Sequence, residues 1–285
     1  MWIVCCLLIC LVHGFDHEAI LFEPKKMTQP KHQTTHLSIP CSRQMYCDES
    51  ECALHPLPIP RLNVSTTIQY WGDSIQAQLE CDLRQWVHDN GTARVQSSYV
   101  KVGCPWRCNS DLKRLKEQMM VADTIVFSVG SHYEQRQRRE FGEFLRRLQP
   151  LLIQFTTSGG TLLVRSISAT HFNHTNGLYS PKSVVATRAC VPHTSTRIPS
   201  VHMEQIRELQ RFAHAVGGVY VDVYNQSRSG YAEHATTHDG KTVLDCRHFC
   251  SSCGMYRRWN VQLINQVVQQ TTQISNATSA NRTGC

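Results

Sequence analysis

Near the C-terminal end, Val243-Leu244-Asp245-Cys246-Arg247-His248-Phe249-Cys250 sets a carboxylate three residues before an imidazole and brackets the imidazole with two cysteines. An imidazole held in one tautomer by a carboxylate can take a proton from a hydroxyl, which is otherwise a poor nucleophile. Asp and His fall this close together often by accident, so the pair points to catalysis only if a nucleophile lies elsewhere. Ser74, in Gly72-Asp73-Ser74, is the candidate. It follows the β-rich run Thr66–Trp71 and opens a stretch where Ile75, Leu79, Leu83 and Trp86 recur at helical spacing. A serine there exposes its hydroxyl at a strand end, and its N–H lies at the positive end of a helix dipole, suited to an oxyanion. Asp and Ser at a helix start also serve as N-caps. These three residues alone leave both readings open.

The elements that must position these groups alternate. Leu112, Leu115 and Met119 mark a second helix, and Thr124–Phe127 is a buried-type strand. Phe141, Phe144, Leu145 and Leu148 share a face of a longer helix, which Pro150 should interrupt and Ser158-Gly159-Gly160 should close. Thr161–Val164 is the next strand. Met203, Ile206, Leu209 and Phe212 form a helical stripe stopped by Gly217-Gly218, before a strand over Val219–Val223 and a final helix over Tyr256–Val268. This order implies an α/β fold with a mainly parallel sheet and helices on both faces, whose ligands bind at the carboxyl ends of the strands. Ser74, Ser128-Val129-Gly130, Arg165 and the loop after Asp222 fall there. Arg165 brings a cation to that edge, and the Gly130 turn suits a second oxyanion donor. Arg136, Arg138, Arg139, Arg146 and Arg147 read as the solvated face of one helix, the other reading being a polyanion-binding patch.

The chain has 285 residues, 41% hydrophobic and 18% charged, an ordinary globular balance. A net charge of +7 suits acidic glycans or anionic head groups but is too mild for nucleic acid, and no nucleic-acid-binding motif is present. Trp2–Val12 is an apolar run too short for a membrane span, followed by Gly14 at a possible cleavage point. Residues 1–14 are therefore expected to be a signal peptide; membrane attachment arises only if this leader stays uncleaved. Three of the 14 cysteines lie in it, and the remaining eleven imply disulfides in an oxidising compartment. Sequons at Asn63, Asn90, Asn173, Asn225, Asn276 and Asn281 agree with passage through the secretory pathway, to the Golgi lumen or outside the cell. Residues 15–60, rich in Pro, His, Thr and Cys, read as a disulfide-tied N-terminal arm, 61–268 as the main domain and 269–285 as a flexible tail. The spacing of His171, His174, His234 and His238 matches no zinc pattern, so no metal is expected.

Four blocks in order resemble the trichome birefringence-like / PC-esterase family of the SGNH (GDSL-type) hydrolase superfamily. They are Gly72-Asp73-Ser74, Phe127-Ser128-Val129-Gly130-Ser131-His132-Tyr133, Arg165 to Phe172, and Asp245 to Cys250 with Trp259-Asn260. The resemblance covers residues 60 to 268 in patches. It implies a three-layer α/β/α fold and acyl-ester chemistry on carbohydrate, typically O-acetylation of polysaccharides. By position, Ser74 would be the nucleophile, His248 the general base and Asp245 the group orienting His248. Gly130, Ser128 and Arg165 would line the oxyanion and substrate region. A glycan acceptor and an acyl donor would be the partners, with no cofactor beyond that donor. The family also implies a Cys190–Cys246 disulfide and one from Cys250 to the N-terminal arm. The chain departs from its pattern at four places: Ser128 stands where the family has Asn, Gln76-Ala77 replaces an Arg-Asn pair, Ala169 replaces the Pro of the Arg block, and Phe249 replaces a Trp. The alternatives within the same fold are a carbohydrate esterase and an inactive glycan-binding protein.

Overall fold

The computed structural model describes residues 45–46, 60, 65–90, 94–103, 112–133, 137–172, 190–192, 199–234, 237–238, 241–242, 245–250 and 254–282. The expected leader lies outside these residues, as does the expected arm except for Met45–Tyr46 and Pro60.

Five parallel strands form the sheet: β2 (Thr66–Gly72), β3 (Val95–Lys101), β4 (Thr124–Ser128), β5 (Thr161–Arg165) and β6 (Val219–Val221), in the order β3-β2-β4-β5-β6. The helices between them are α1 (Ser74–Asp89), α2 (Leu112–Met119), α3 (Arg138–Thr157) and α4 (Ser200–Ala215), with α5 (Tyr224–Arg228) and α6 (Met255–Arg282) following β6. A small antiparallel sheet joins β1 (Met45–Tyr46), β7 (Thr237–His238) and β8 (Lys241–Thr242).

Both faces of the large sheet are covered, giving three layers. Alternate residues along each strand serve opposite cores. Ile68, Tyr70, Val126 and Leu163 pack with Ile75, Leu79, Trp259 and Leu263 of α1 and α6. Trp71, Phe127 and Val164 pack on the other face with Phe141, Leu145, Leu148, Leu209 and Phe212 of α3 and α4. Asn260 crosses the first of these cores as a polar tie. It donates to the Leu79 carbonyl at 3.0 Å and to Asp82 Oδ2 at 2.8 Å, and accepts from the Tyr70 hydroxyl at 2.7 Å.

Three local expectations change. Pro150 sits inside α3 without breaking it. The proline is on the exposed side, where the carbonyl it deprives can meet water, while Leu148, Leu151, Leu152 and Phe155 hold the helix to the core. The final helix does not end at Val268 but runs to Arg282, through much of the expected tail; that stretch contains no Pro or Gly to stop it. The edge strand β3 was not expected, because its sequence VQSSYVK is mostly polar or hydroxylic. Among the described residues it pairs with β2 alone, so only one of its long edges is bonded there. The arginines of α3 point outward: Arg139 pairs with Glu143 at 2.8 Å, and Arg138 with Glu204 at 3.3 Å.

The strand order places a switch point between β2 and β4. From β2 the chain moves outward through α1 to β3; from β4 it moves the opposite way through α3 to β5. The carboxyl ends of β2 and β4 therefore flank a crevice, the place where open parallel sheets bind ligands. Ser74 and Gly130 lie just beyond those two ends.

Candidate active site

Gly72 ends β2 beside Ser128, the last residue of β4. A Cβ on Gly72 would lie 2.0 Å from the Ser128 carbonyl oxygen, so only glycine lets the two strand ends close. Asp73 then caps α1, its Oδ1 accepting from the Ile75 N–H at 3.1 Å. With the capping role taken by Asp73, the Ser74 hydroxyl is free for another partner. Ser74 Oγ lies 2.7 Å from His248 Nε2, and His248 Nδ1 lies 2.6 Å from Asp245 Oδ2. A carboxylate only accepts, so Nδ1 carries the ring proton and the Nε2 lone pair faces the serine. The structure thus brings Ser74, His248 and Asp245 into one relay across 174 residues of sequence.

Asp245 is held in its charged form. Burial alone would raise its pKa, but the His248 ring and the His248 and Arg247 backbone N–H groups, bonding at 3.1 and 3.0 Å, hold it well below the usual carboxylate range. The surrounding loop is fixed at almost every residue. Cys246 is disulfide-bonded to Cys190, and its carbonyl accepts from the His171 N–H at 2.8 Å. The His248 carbonyl faces His234 Nδ1 at 2.9 Å, the Phe249 N–H donates to the Tyr256 hydroxyl at 3.1 Å, and the Cys250 N–H donates to the Glu233 carbonyl at 2.8 Å. Cys81 and Cys250 are disulfide-bonded too; the arm cysteines that the resemblance assigns to Cys250 lie outside the described residues.

The remaining expected site residues fall into two groups. Gly130 follows β4 on the crevice side, and its turn is shaped by Gln205, whose Nε2 donates to the carbonyls of Gly130 at 3.1 Å and Tyr133 at 2.8 Å. Ser74, as the first residue of α1, has an N–H without an intrahelical acceptor. Ser128 and Arg165 do not line the crevice with their side chains. The Ser128 hydroxyl donates to the Ser166 carbonyl at 3.3 Å. Arg165 is wholly buried, its Nε donating to Gln76 Oε1 at 3.0 Å and its guanidinium 5.3 Å from the Trp259 ring centre. Burial lowers its pKa to about 10, against the opposing pull of the Asp73 carboxylate.

His132 joins the site without having been singled out. Its Nδ1 is 2.9 Å from Arg247 Nη1; a guanidinium only donates, so the His132 ring proton sits on Nε2. Burial lowers the His132 pKa, Asp73 opposes this, and Arg247 and His248 add to it. Gln205 carried no motif signal beyond being polar on a helix face that also bears Leu209 and Phe212. Of the sequons, Asn90 caps the end of α1 and Asn225 lies exposed in α5, bonded to Asp222 at 2.7 Å. Asn276 and Asn281 fall within α6; Asn63 and Asn173 are outside the described residues.

No protein-family model matches the chain, and no curated protein matches it. Solved structures do. A lipase/acylhydrolase from Enterococcus faecalis is 14% identical with a TM-score of 0.45, covering 71% of this chain and 95% of that one. The periplasmic domain of a lipopolysaccharide acetyltransferase from Salmonella ser. Paratyphi A is 13% identical with a TM-score of 0.44, covering 73% and 85%. The acetyl xylan esterase AlAXEase is 12% identical with a TM-score of 0.41, covering 71% and 98%. Likenesses of this strength leave the chemistry to be read from the chain's own geometry.

Proposed function

We propose that this chain is a serine-dependent acyl-ester enzyme of the secretory pathway, an O-acetyltransferase that carries an acetyl group on Ser74 to a carbohydrate hydroxyl. The reading places it with the trichome birefringence-like / PC-esterase family and the SGNH superfamily on the four ordered blocks. One observation carries the chemistry: the Ser74 Oγ to His248 Nε2 contact of 2.7 Å, continued by His248 Nδ1 to Asp245 Oδ2 at 2.6 Å.

His248 Nε2 takes the Ser74 hydroxyl proton as Oγ attacks the acetyl carbonyl of the donor. The N–H groups of Ser74 and Gly130 receive the developing oxyanion. Collapse breaks the bond to the donor oxygen, which leaves with the proton from His248. A sugar hydroxyl then gives its proton to His248 and attacks acetyl-Ser74, and Ser74 recovers the proton as it leaves. Asp245 stays ionised throughout and offsets the charge on the imidazolium. Water in place of the sugar would make the same site an esterase.

The test is incubation of the purified protein with an activated acetyl ester, with and without oligosaccharide acceptors, beside Ser74→Ala. Acetyl-Ser74 by mass spectrometry together with acetylated sugar supports the transferase. Release to water alone shifts the reading to the esterase. Identical behaviour of wild type and Ser74→Ala sinks both and leaves the inactive glycan-binding protein.

A further inference from the structure

The 2.7 Å contact between Ser74 Oγ and His248 Nε2 joins two elements far apart in sequence. Ser74 opens α1, whereas His248 rides on the 245–250 loop. Most of the bonds described on that loop do not reach α1. Asp245 accepts from the Arg247 and His248 N–H groups within the loop. Cys246 is bonded to Cys190 and accepts from the His171 N–H, and the Cys250 N–H donates to the Glu233 carbonyl. These bonds fix the shape of the loop, not its distance from α1. One chain of bonds does cross, through Tyr256, the second residue of α6. Its hydroxyl accepts from the Phe249 N–H at 3.1 Å and donates to Gln78 Oε1. Phe249 follows His248 directly, and Gln78 lies one turn beyond Ser74 on the same face of α1.

We infer that Tyr256 is a positioning residue whose hydroxyl sets the reach of His248 to Ser74 by tying the loop of the one to the helix of the other. A hydroxyl carries one proton, so accepting from the loop leaves that proton to be donated onward, and Gln78 supplies the acceptor. Burial pushes the Tyr256 phenol well above its ordinary range, which keeps the proton in place. Tyr256, Phe249 and Gln78 are all buried, so water has little access to either bond. The ring is held edge-on to Phe249 at 6.2 Å and to Trp259 at 5.6 Å. Helix α6 is pinned to α1 next door, where Arg257 Nε donates to Asp82 Oδ2 at 3.1 Å and Asn260 to the same oxygen at 2.8 Å. The hydroxyl is therefore a fixed point on the frame that carries Ser74. A retreat of the loop by about 1 Å would take the Ser74–His248 contact beyond hydrogen-bond reach. The tie stands on geometry; its consequence for turnover rests on the reading of His248 as general base.

The test is Tyr256→Phe in the full chain, which removes the hydroxyl and keeps the ring. In the folded variant kcat should fall about 10²-fold with KM within about twofold. A merely structural hydroxyl would lower the unfolding temperature and leave kcat at its wild-type value, which would overturn the inference. A second readout needs no turnover: nitrogen NMR of the 15N-histidine-labelled chain at about pH 8.5, where an ordinary imidazole is neutral. The His248 Nε2 signal should move toward that of a nitrogen facing no donor. The Nδ1 proton bonded to Asp245 should stay in place, because those two residues travel together on the loop. An unmoved Nε2 signal, or loss of the Nδ1 proton as well, overturns the positioning role. Gln78→Met cuts the tie to α1 but leaves Tyr256 on α6. It should move the Nε2 signal in the same direction and lower kcat about tenfold, and an unmoved signal there overturns the inference even if Tyr256→Phe does not fold. The double variant should be no slower than Tyr256→Phe, since Gln78 acts through the hydroxyl. An absence of turnover by wild type would instead count against the enzymatic reading, while the Nε2 signal still decides whether Tyr256 sets the contact.

Discussion

Arg165 Nε donates to Gln76 Oε1 at 3.0 Å, and Gln76 Nε2 donates onward to the Val126 carbonyl at 2.8 Å. Both side chains are fully buried, and Gln76 lies two residues after Ser74 in the first turn of α1. The guanidinium expected at the substrate edge is therefore a brace joining β5 and β4 to the helix that presents Ser74. Gln76 supplies the acceptor that makes the brace possible.

Replacing Gln76 by Leu strips a buried cation of its acceptor and a buried carbonyl of a donor. The expected cost is about 2 kcal/mol or more in urea unfolding. Arg165→Met removes the group that needs the acceptor, so the double variant should lose less than the sum of the two single changes. Simple additivity would mean that the two side chains do not act as one unit.

Glycine at position 72 is required by space. A Cβ there meets backbone of the neighbouring strand at 2.0 Å, which no side-chain rotation relieves. Gly72→Ala is expected to cost about 3 kcal/mol. Gly159→Ala is the control: its φ of +89° strains an alanine, but nothing lies within 4 Å of the new methyl, so the loss should be near 1 kcal/mol. Thermal unfolding of the two variants side by side reads the difference.

Much of this arrangement was legible because it is periodic or local. The alternation of apolar strand runs with helical stripes gives the parallel sheet, and Gly72-Asp73-Ser74 gives a serine hydroxyl at a strand end. Asp245 and His248, three residues apart, give the carboxylate–imidazole pair. What stayed hidden depends on where a polar side chain ends up once helices and strands pack. Nothing in the sequence says that the guanidinium of Arg165 turns inward over Trp259, or that Gln205 reaches from α4 to two carbonyls beyond β4. Pro150 misled for a similar reason, since a helix break depends on whether the deprived carbonyl faces core or water.

The Cys190–Cys246 disulfide closes 56 residues of chain and anchors the residue after Asp245. Chain entropy for a loop of that length corresponds to about 4 kcal/mol. The paired Cys190→Ser, Cys246→Ser variant should unfold at correspondingly lower urea. Its turnover should fall even under conditions where it remains folded, because Asp245 and His248 lose their covalent neighbour. Full turnover in a folded variant would show that the hydrogen bonds to the loop suffice without the clamp.

Asp245 has two separable effects. Its carboxylate forces the His248 proton onto Nδ1; an amide in its place can donate to Nδ1 and drive the proton to Nε2, where it faces Ser74 and removes the base. Asp245→Asn should therefore lower kcat about 10⁴-fold while leaving the fold intact. The second effect is on stability. Because the folded carboxyl titrates well below its ordinary value, the native state favours the charged form. That contribution is complete above pH of about 4, where the unfolded carboxyl is ionised, and is lost as pH falls toward the folded pKa. Urea unfolding of wild type and Asp245→Asn between pH 5 and 2, approximate limits set by that unfolded carboxyl, should show the wild-type advantage shrinking with acid. An advantage that does not change over this range would mean that the carboxylate is not held by His248 and the loop amides in the way its geometry requires.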